Sequence, residues 1–281
     1  MMLDATSIRR DPLTAAPNVL PLRRGRLIAI ASGKGGVGKT WFAITLAHAL
    51  ARAGRRVLLF DGDLGLANVD IQLGLMPEHD LGGLIAGRVG LAESVTSFAP
   101  GGFDILPGRS GSGALAALDP AALARVLAEL RAATAAYQVV VLDLGAGLDR
   151  SVRQMAAAAD TLVVVTTEEP TSLTDAYAVV KLHAADRPAG KGDADVRVVV
   201  NQAASEATGE RTFATLARAC QAFLGRTPEL AGVVRRDDRV REAIRRQSLL
   251  LTRHPASPAA MDIERVAASL AVSPRGLVGA G

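Results

Sequence analysis

The chain has 281 residues, 49% apolar, 21% charged and only 3% aromatic, which suits a soluble globular protein whose large core is built from Ala, Val, Leu and Ile. Its 32 basic and 28 acidic residues give a net charge of +4, a mixed surface open to an anionic partner but not a nucleic-acid-binding tail. The single cysteine, Cys220, excludes an internal disulfide framework, and the four histidines make no metal-ligand spacing with one another or with it.

Residues 1–25 carry Pro12, Pro17, Pro21 and two Arg-Arg pairs without periodicity and read as a flexible arm. No apolar stretch followed by a cleavage site marks a signal peptide, and no run approaches the roughly 18–20 apolar residues of a membrane span. A cytoplasmic chain is expected. From residue 27 short apolar runs alternate with helical stretches. The runs are 27–32, 56–61, 103–108, 138–144, 161–167, 196–202 and 230–234, apolar on consecutive positions as strands covered on both faces are. The helical stretches are 39–53, 120–135, 148–158, 172–185, 210–224, 238–246 and 258–271. Asp119-Pro120 reads as an N-cap followed by proline at the first helical position. In 210–224 the residues Phe213, Leu216, Ala217, Cys220, Phe223 and Leu224 recur at helical spacing, which makes Cys220 a core thiol. Strict β–α alternation predicts one doubly wound α/β domain over 26–271, with a mostly parallel sheet of seven to eight strands flanked by helices and a flexible tail over 272–281. In such sheets ligands sit beyond the carboxyl ends of the strands.

At the end of the first strand, Gly33 to Thr40 matches G-x-x-x-x-G-K-[ST], the phosphate-binding P-loop, and it opens a helix as that motif requires. Gly33, Gly35, Gly36 and Gly38, with Lys34 and Val37 between them, let backbone N–H groups turn toward phosphate oxygens, and the helix adds the positive end of its dipole. Lys39 neutralises the β- and γ-phosphates, and the Thr40 hydroxyl is an Mg²⁺ ligand. Asp143 closes an apolar strand and suits the carboxylate that holds Mg²⁺. Asp61 and Asp63 stand at another strand end, where an aspartate serves equally as a turn residue.

The generic motif leaves Lys34 unexplained, in a chain with four lysines in all. "KGGVGKT", with that first lysine, resembles the deviant Walker A signature of the MinD/ParA group of P-loop ATPases, and the likeness extends from about residue 26 to 271. The resemblance implies that Lys34 reaches across an ATP-dependent homodimer to the partner's phosphates. "DGDLGLANVDIQLGL" (61–75) resembles the family's first switch, in which Asp63 positions the attacking water and contributes to the metal site, with Asn68 and Asp70 on family positions. "LDLGAGLDRSV" (142–152) resembles the second switch, with Asp143 as its acidic residue. Asn201 matches the adenine-recognising asparagine, and 232–243, including Arg235 and Asp237, fit the segment flanking the base. The wording of 61–75 and 166–182 is most similar to the FlhG (FleN) branch, which controls flagellar number and placement. That branch implies a flagellar GTPase or a transcription factor as regulatory partner.

Several residues depart from the pattern. Trp41 replaces a small or polar residue and either packs under the helix or borders the nucleotide or dimer interface. Arg235 and Arg236 replace a proline-acidic pair, which suggests that a guanidinium stacks on the base. Glu168 stands where proline is common, and 4–9 matches the branch's N-terminal element only with a deletion. The stretch 235–246 holds six arginines and three acids, either a solvated helix laced with ion pairs or a patch for non-specific DNA. The closing segment 258–271 is poor in basic residues, so packing on the domain is favoured over membrane contact at the inner membrane or pole. Three functions fit: a flagellar-type ATPase switch, a ParA-like partitioning ATPase, and a nucleotide-binding module with negligible hydrolysis.

Overall fold

Apolar strands alternate their side chains between two helical layers, and the first strand shows how. In a computed structural model describing residues 25–63, 65–108, 119–186 and 195–271, β1 (Arg26–Ser32) sends Ile28 and Ile30 into one core and Leu27, Ala29 and Ala31 into the other. The other strands are β2 (Val57–Gly62), β3 (Thr96–Phe98), β4 (Phe103–Leu106), β5 (Val139–Ala146), β6 (Thr161–Thr166), β7 (Asp195–Ala203) and β8 (Glu229–Arg235). They form one eight-stranded sheet in the order β3-β4-β2-β5-β1-β6-β7-β8, parallel except for β3, which pairs antiparallel with β4 at the edge. The predicted doubly wound α/β sheet is therefore present. The proposed arm, apart from Gly25, and the tail over 272–281 lie outside the described residues.

One layer holds α1 (Lys39–Arg52), α2 (Val69–Leu73), α9 (Asp238–Arg245), α10 (Leu250–Arg253) and α11 (Pro258–Ala271). The other holds α3 (Leu81–Ile85), α5 (Pro120–Ala133), α6 (Arg150–Ala158), α7 (Pro170–Asp186) and α8 (Glu206–Leu224), with the short α4 (Leu91–Ser94) beside α3. Asp119 caps α5 through Ala121 N–H, as its sequence predicts. The helix expected from 210 starts four residues earlier, because Ser205 caps it and exchanges hydrogen bonds with Thr208. Phe223, which shares the helical spacing of Cys220 in the sequence, is 77% exposed; α8 turns Leu216 and Cys220 inward and Phe223 out, edge-on to Tyr177. Ile263, Val266 and Leu270 of α11 are buried against the domain, leaving Met261 as its exposed apolar side chain. No helix among the described residues is long and apolar enough to cross a membrane.

The α1 layer also buries a histidine. His48 is 3% exposed, its Nδ1 lacks a hydrogen-bond partner, and burial together with nearby Arg52 lowers its pKa to about 4. An unfolded histidine takes up its proton near pH 6.5, so this side chain costs stability progressively as pH falls from about 6.5 to 4. In chemical denaturation, wild type is expected to lose on the order of 1–2 kcal/mol more than His48→Gln across that window. Parallel pH profiles for the two proteins would contradict this assignment.

Candidate functional site

Every residue nominated from the sequence lies at or just beyond the carboxyl end of a strand or on the helix that follows it, the edge where doubly wound sheets take ligands. The P-loop leaves β1 and enters α1 through Gly38, whose φ of 86° lies in the left-handed region, as does the 80° of Gly36. Two glycines have packing reasons as well. A Cβ on Gly33 would fall 2.6 Å from Asp175 of α7, and one on Gly38 would fall 2.6 Å from Asn201 Nδ2. No side chain caps α1, so its first N–H groups face outward from the loop. Val37 points the other way and is buried in the core.

Lys39 is buried, and its Nζ stands 3.5 Å from Asp143 Oδ1; β5 runs three residues beyond this aspartate, which the sequence placed at the strand's end. Asp143 is wholly buried, yet neither carboxylate oxygen makes a hydrogen bond of ordinary geometry. Burial pushes its pKa up, against the pull of Lys39 and the neighbouring Thr40 hydroxyl. A buried carboxylate without hydrogen bonds, facing a hydroxyl at the mouth of an anion-binding loop, is chemically suited to a divalent cation held mainly through waters and phosphates. No group of three or more His, Cys, Asp or Glu side chains able to hold a metal occurs among the described residues, so an all-protein cage is not what this site offers.

Asp61 pairs in register with Asp143 across β2 and β5. Its Oδ2 accepts from Asn68 N–H at 2.9 Å and Val69 N–H at 3.0 Å, and its Oδ1 accepts from Asp63 N–H at 3.2 Å. Asp61 is thus the anchor of the loop leading into α2, and burial beside Asp143 raises its pKa to about 7. Asp63 is the more open of the two. Its Oδ1 accepts from Gly65 and Leu66 N–H, and Gly145 of β5 leaves room for it, since a Cβ there would lie 3.3 Å from that oxygen.

The wall opposite the loop is a cavity of about 210 Å³ bounded by Gly38, Trp41, Asn201, Gln202, Arg236 and Ile244, with Arg235 and Asp237 also on its lining. Asn201 Nδ2 donates to Val37 O at 2.7 Å, so the asparagine secures the P-loop from the cavity side. Arg235 is gripped by Asp262 through Nε and Nη2, both at 2.8 Å. Both Asp237 oxygens are used as well, by Arg239 N–H and Ala259 N–H. The charged ends of these two residues are therefore engaged in the framework of the cavity. Within 235–246 Glu242 pairs with Arg239 and Arg246 at helical spacing and also with Arg253. Arg236, Arg241 and Arg245 have no ion pair among the described residues. Trp41 is 6% exposed and packed in the α1 layer, as the first reading expects, and it also stands on the rim of the cavity. As the only tryptophan it is expected to change its fluorescence when Mg·ADP is added, and a flat titration with nucleotide bound by another assay would place it outside the site.

Lys34 lies on the exposed lip of the loop, where its Nζ bonds Glu169 Oε2 at 2.5 Å and Thr171 Oγ1 at 3.1 Å at the start of α7. Sequence reasoning did not nominate these two partners. Nor did it nominate Gln202, whose φ of 57° is one of two positive values among non-glycine described residues and whose Nε2 donates to Gly36 O at 3.3 Å. Only its position next to Asn201 signals it.

Residues 28–250 match the model of the CobQ/CobB/MinD/ParA nucleotide binding domain. The chain belongs to this family. Among characterised members, it is 39% identical over 256 residues to the antiactivator FleN of Pseudomonas aeruginosa, covering 89% of this chain and 90% of that protein. It is 31% identical over 191 residues to the flagellum site-determining protein YlxH of Helicobacter pylori, covering 68% and 63%. The cell division ATPase MinD of Pyrococcus furiosus shares the fold with a TM-score of 0.72, at 24% identity over 88% of this chain and 98% of that one. The MinD of Pyrococcus horikoshii, whose structure holds Mg-ADP, gives the same TM-score and identity. The MinD/ParA resemblance drawn from the "KGGVGKT" loop is thus a family membership, and the FlhG (FleN) branch holds the relative just described.

Proposed function

We propose that this MinD/ParA-family chain is an ATP-driven, dimerising switch that hydrolyses ATP and regulates the number or placement of flagella. The observation that carries the reading is the junction of β1 and α1. An uncapped helix N-terminus, a buried Lys39 and a fully buried Asp143 without hydrogen bonds converge there, while Lys34 stands on the exposed lip of the same loop. Identity to FleN along nearly the whole chain supports the flagellar branch over the partitioning alternative.

The loop amides and Lys39 hold the β- and γ-phosphates, Trp41 and Asn201 flank the base, and Asp63 accepts the proton side of a water placed in line with the γ-phosphate. Thr40 and Asp143, with Asp63 nearby, would hold Mg²⁺, which supplies charge neutralisation for the phosphoryl oxygens. Lys34 leaves Glu169 and Thr171 to reach a second copy's phosphates, where a compact ammonium offsets developing charge. Exposed Leu66 and Leu148, on the two switch segments, belong to the face such a copy would cover.

The test is phosphate release from Mg·ATP by the purified chain, alone and with a flagellar GTPase or transcription factor partner, vesicles or DNA. Turnover stimulated by the flagellar partner supports the reading. Stimulation by DNA alone would favour partitioning, and no turnover under any condition would leave a nucleotide-binding module.

A further inference from the structure

The first-switch helix α2 is held at both ends. At its start Asp61 takes the Asn68 and Val69 N–H groups. At its end stands Gln247, just past the C-terminus of α9 and far away in sequence. Gln247 adopts φ 47°, a left-handed position where the chain leaves a helix and where glycine is the unstrained choice. What glycine could not supply is the side chain. Gln247 Nε2 donates to Ile71 O at 2.9 Å, and its amide lies so close over Gly74 that a Cβ there would fall 2.8 Å from Oε1. Gly74 is itself left-handed, at φ 66°. Two helix ends are therefore clamped through one strained glutamine.

The ground beneath α2 is shared with the base cavity. Leu73 and Gln72 face Trp41, Ile44, Ile244 and Leu249 around a gap of about 10 Å³, so α2 has almost no slack against them. Trp41 and Ile244 form part of the wall of the 210 Å³ cavity on their other side. Any shift of these two side chains on base binding is transmitted to Leu73, and Gln247 keeps α2 seated against them.

We propose that Gln247 is a positioning residue that couples occupancy of the base cavity to the first switch, with Trp41 and Ile244 as the transmitting wall. The inference rests on the nucleotide reading of the cavity given above. Its consequence is that the base, as well as the γ-phosphate, orders the segment carrying Asp63 and the exposed Leu66, Ile71 and Met76.

The variant Gln247→Gly relieves the backbone strain and removes only the clamp, so it is expected to fold with an unchanged or higher Tm. Amide hydrogen exchange is measured on wild type and variant, each free and with saturating Mg·ADP. In wild type, ADP slows exchange in 33–40 and, at least about fivefold, in 66–74. In the variant, protection of 33–40 is retained and the response of 66–74 falls to less than about twofold. If 66–74 responds to ADP equally in both proteins, or exchanges faster in the variant by the same factor with and without ADP, Gln247 is only structural and the proposal is overturned. If wild-type 33–40 gains no protection, the nucleotide reading itself fails and takes the coupling with it.

Discussion

Asp63→Ala is expected to bind ATP within about threefold of wild type and to hydrolyse it at least about 100-fold more slowly. The neighbouring carboxylates have other tasks. Asp61 is consumed by three backbone N–H groups, and Asp143 is sealed beside Lys39. Asp63 has one oxygen, Oδ1, engaged by the loop, while no hydrogen bond among the described residues uses Oδ2, and Gly145 leaves room beside the carboxylate. Single-turnover phosphate release reads the chemical step, and fluorescence of Trp41 reads binding. Recovery of the rate at high Mg²⁺ would show that Asp63 matters as a metal ligand and not for the water. An unchanged rate would remove it from the reaction.

Lys34→Ala is expected to abolish the ATP-dependent dimer and with it at least about tenfold of the turnover, while leaving the monomer's thermal stability unchanged. The stability half of this expectation follows from exposure. The Lys34 and Glu169 side chains retain 38% and 64% of their accessible surface, so solvent screens the pair and its loss barely affects folding. The same weakness makes the side chain free to change partners. Glu169→Gln tests that exchange from the other side: it should retain the dimer, because it removes the partner and keeps the lysine. A Lys34→Ala protein that still dimerises with ATP would mean that the lysine's attachment to α7 is its whole role.

The strands were legible because consecutive apolar residues need cover on both faces, and the sheet carries them where the runs fall. The P-loop was legible because its chemistry constrains spacing over only eight residues. Apart from β4, elements shorter than six residues were not. Helices α2, α3, α4 and α10 and strand β3 have too few turns or pairs to show a period, and tertiary anchors help to fix them, such as Asp61 for α2 and the Leu81 N–H to Pro107 O hydrogen bond at the start of α3. Phe223 shares the spacing of Cys220 yet is exposed, because helical spacing defines a stripe wider than the face that α8 buries. Glu169, Gln202 and Gln247 escaped notice for a different reason. Each acts on a residue more than 130 positions away, and a lone polar side chain carries no mark of so distant a partner.

The most direct test of the switch is light scattering after size exclusion, on wild type with Mg·ADP, wild type with Mg·ATP, and Lys34→Ala with Mg·ATP, using Asp63→Ala to prolong the ATP state. A monomer of 29.1 kDa with ADP, a species of twice that mass with ATP, and a monomer again for Lys34→Ala is the predicted result. A single mass in all three samples, or a dimer indifferent to the Lys34 substitution, would contradict it.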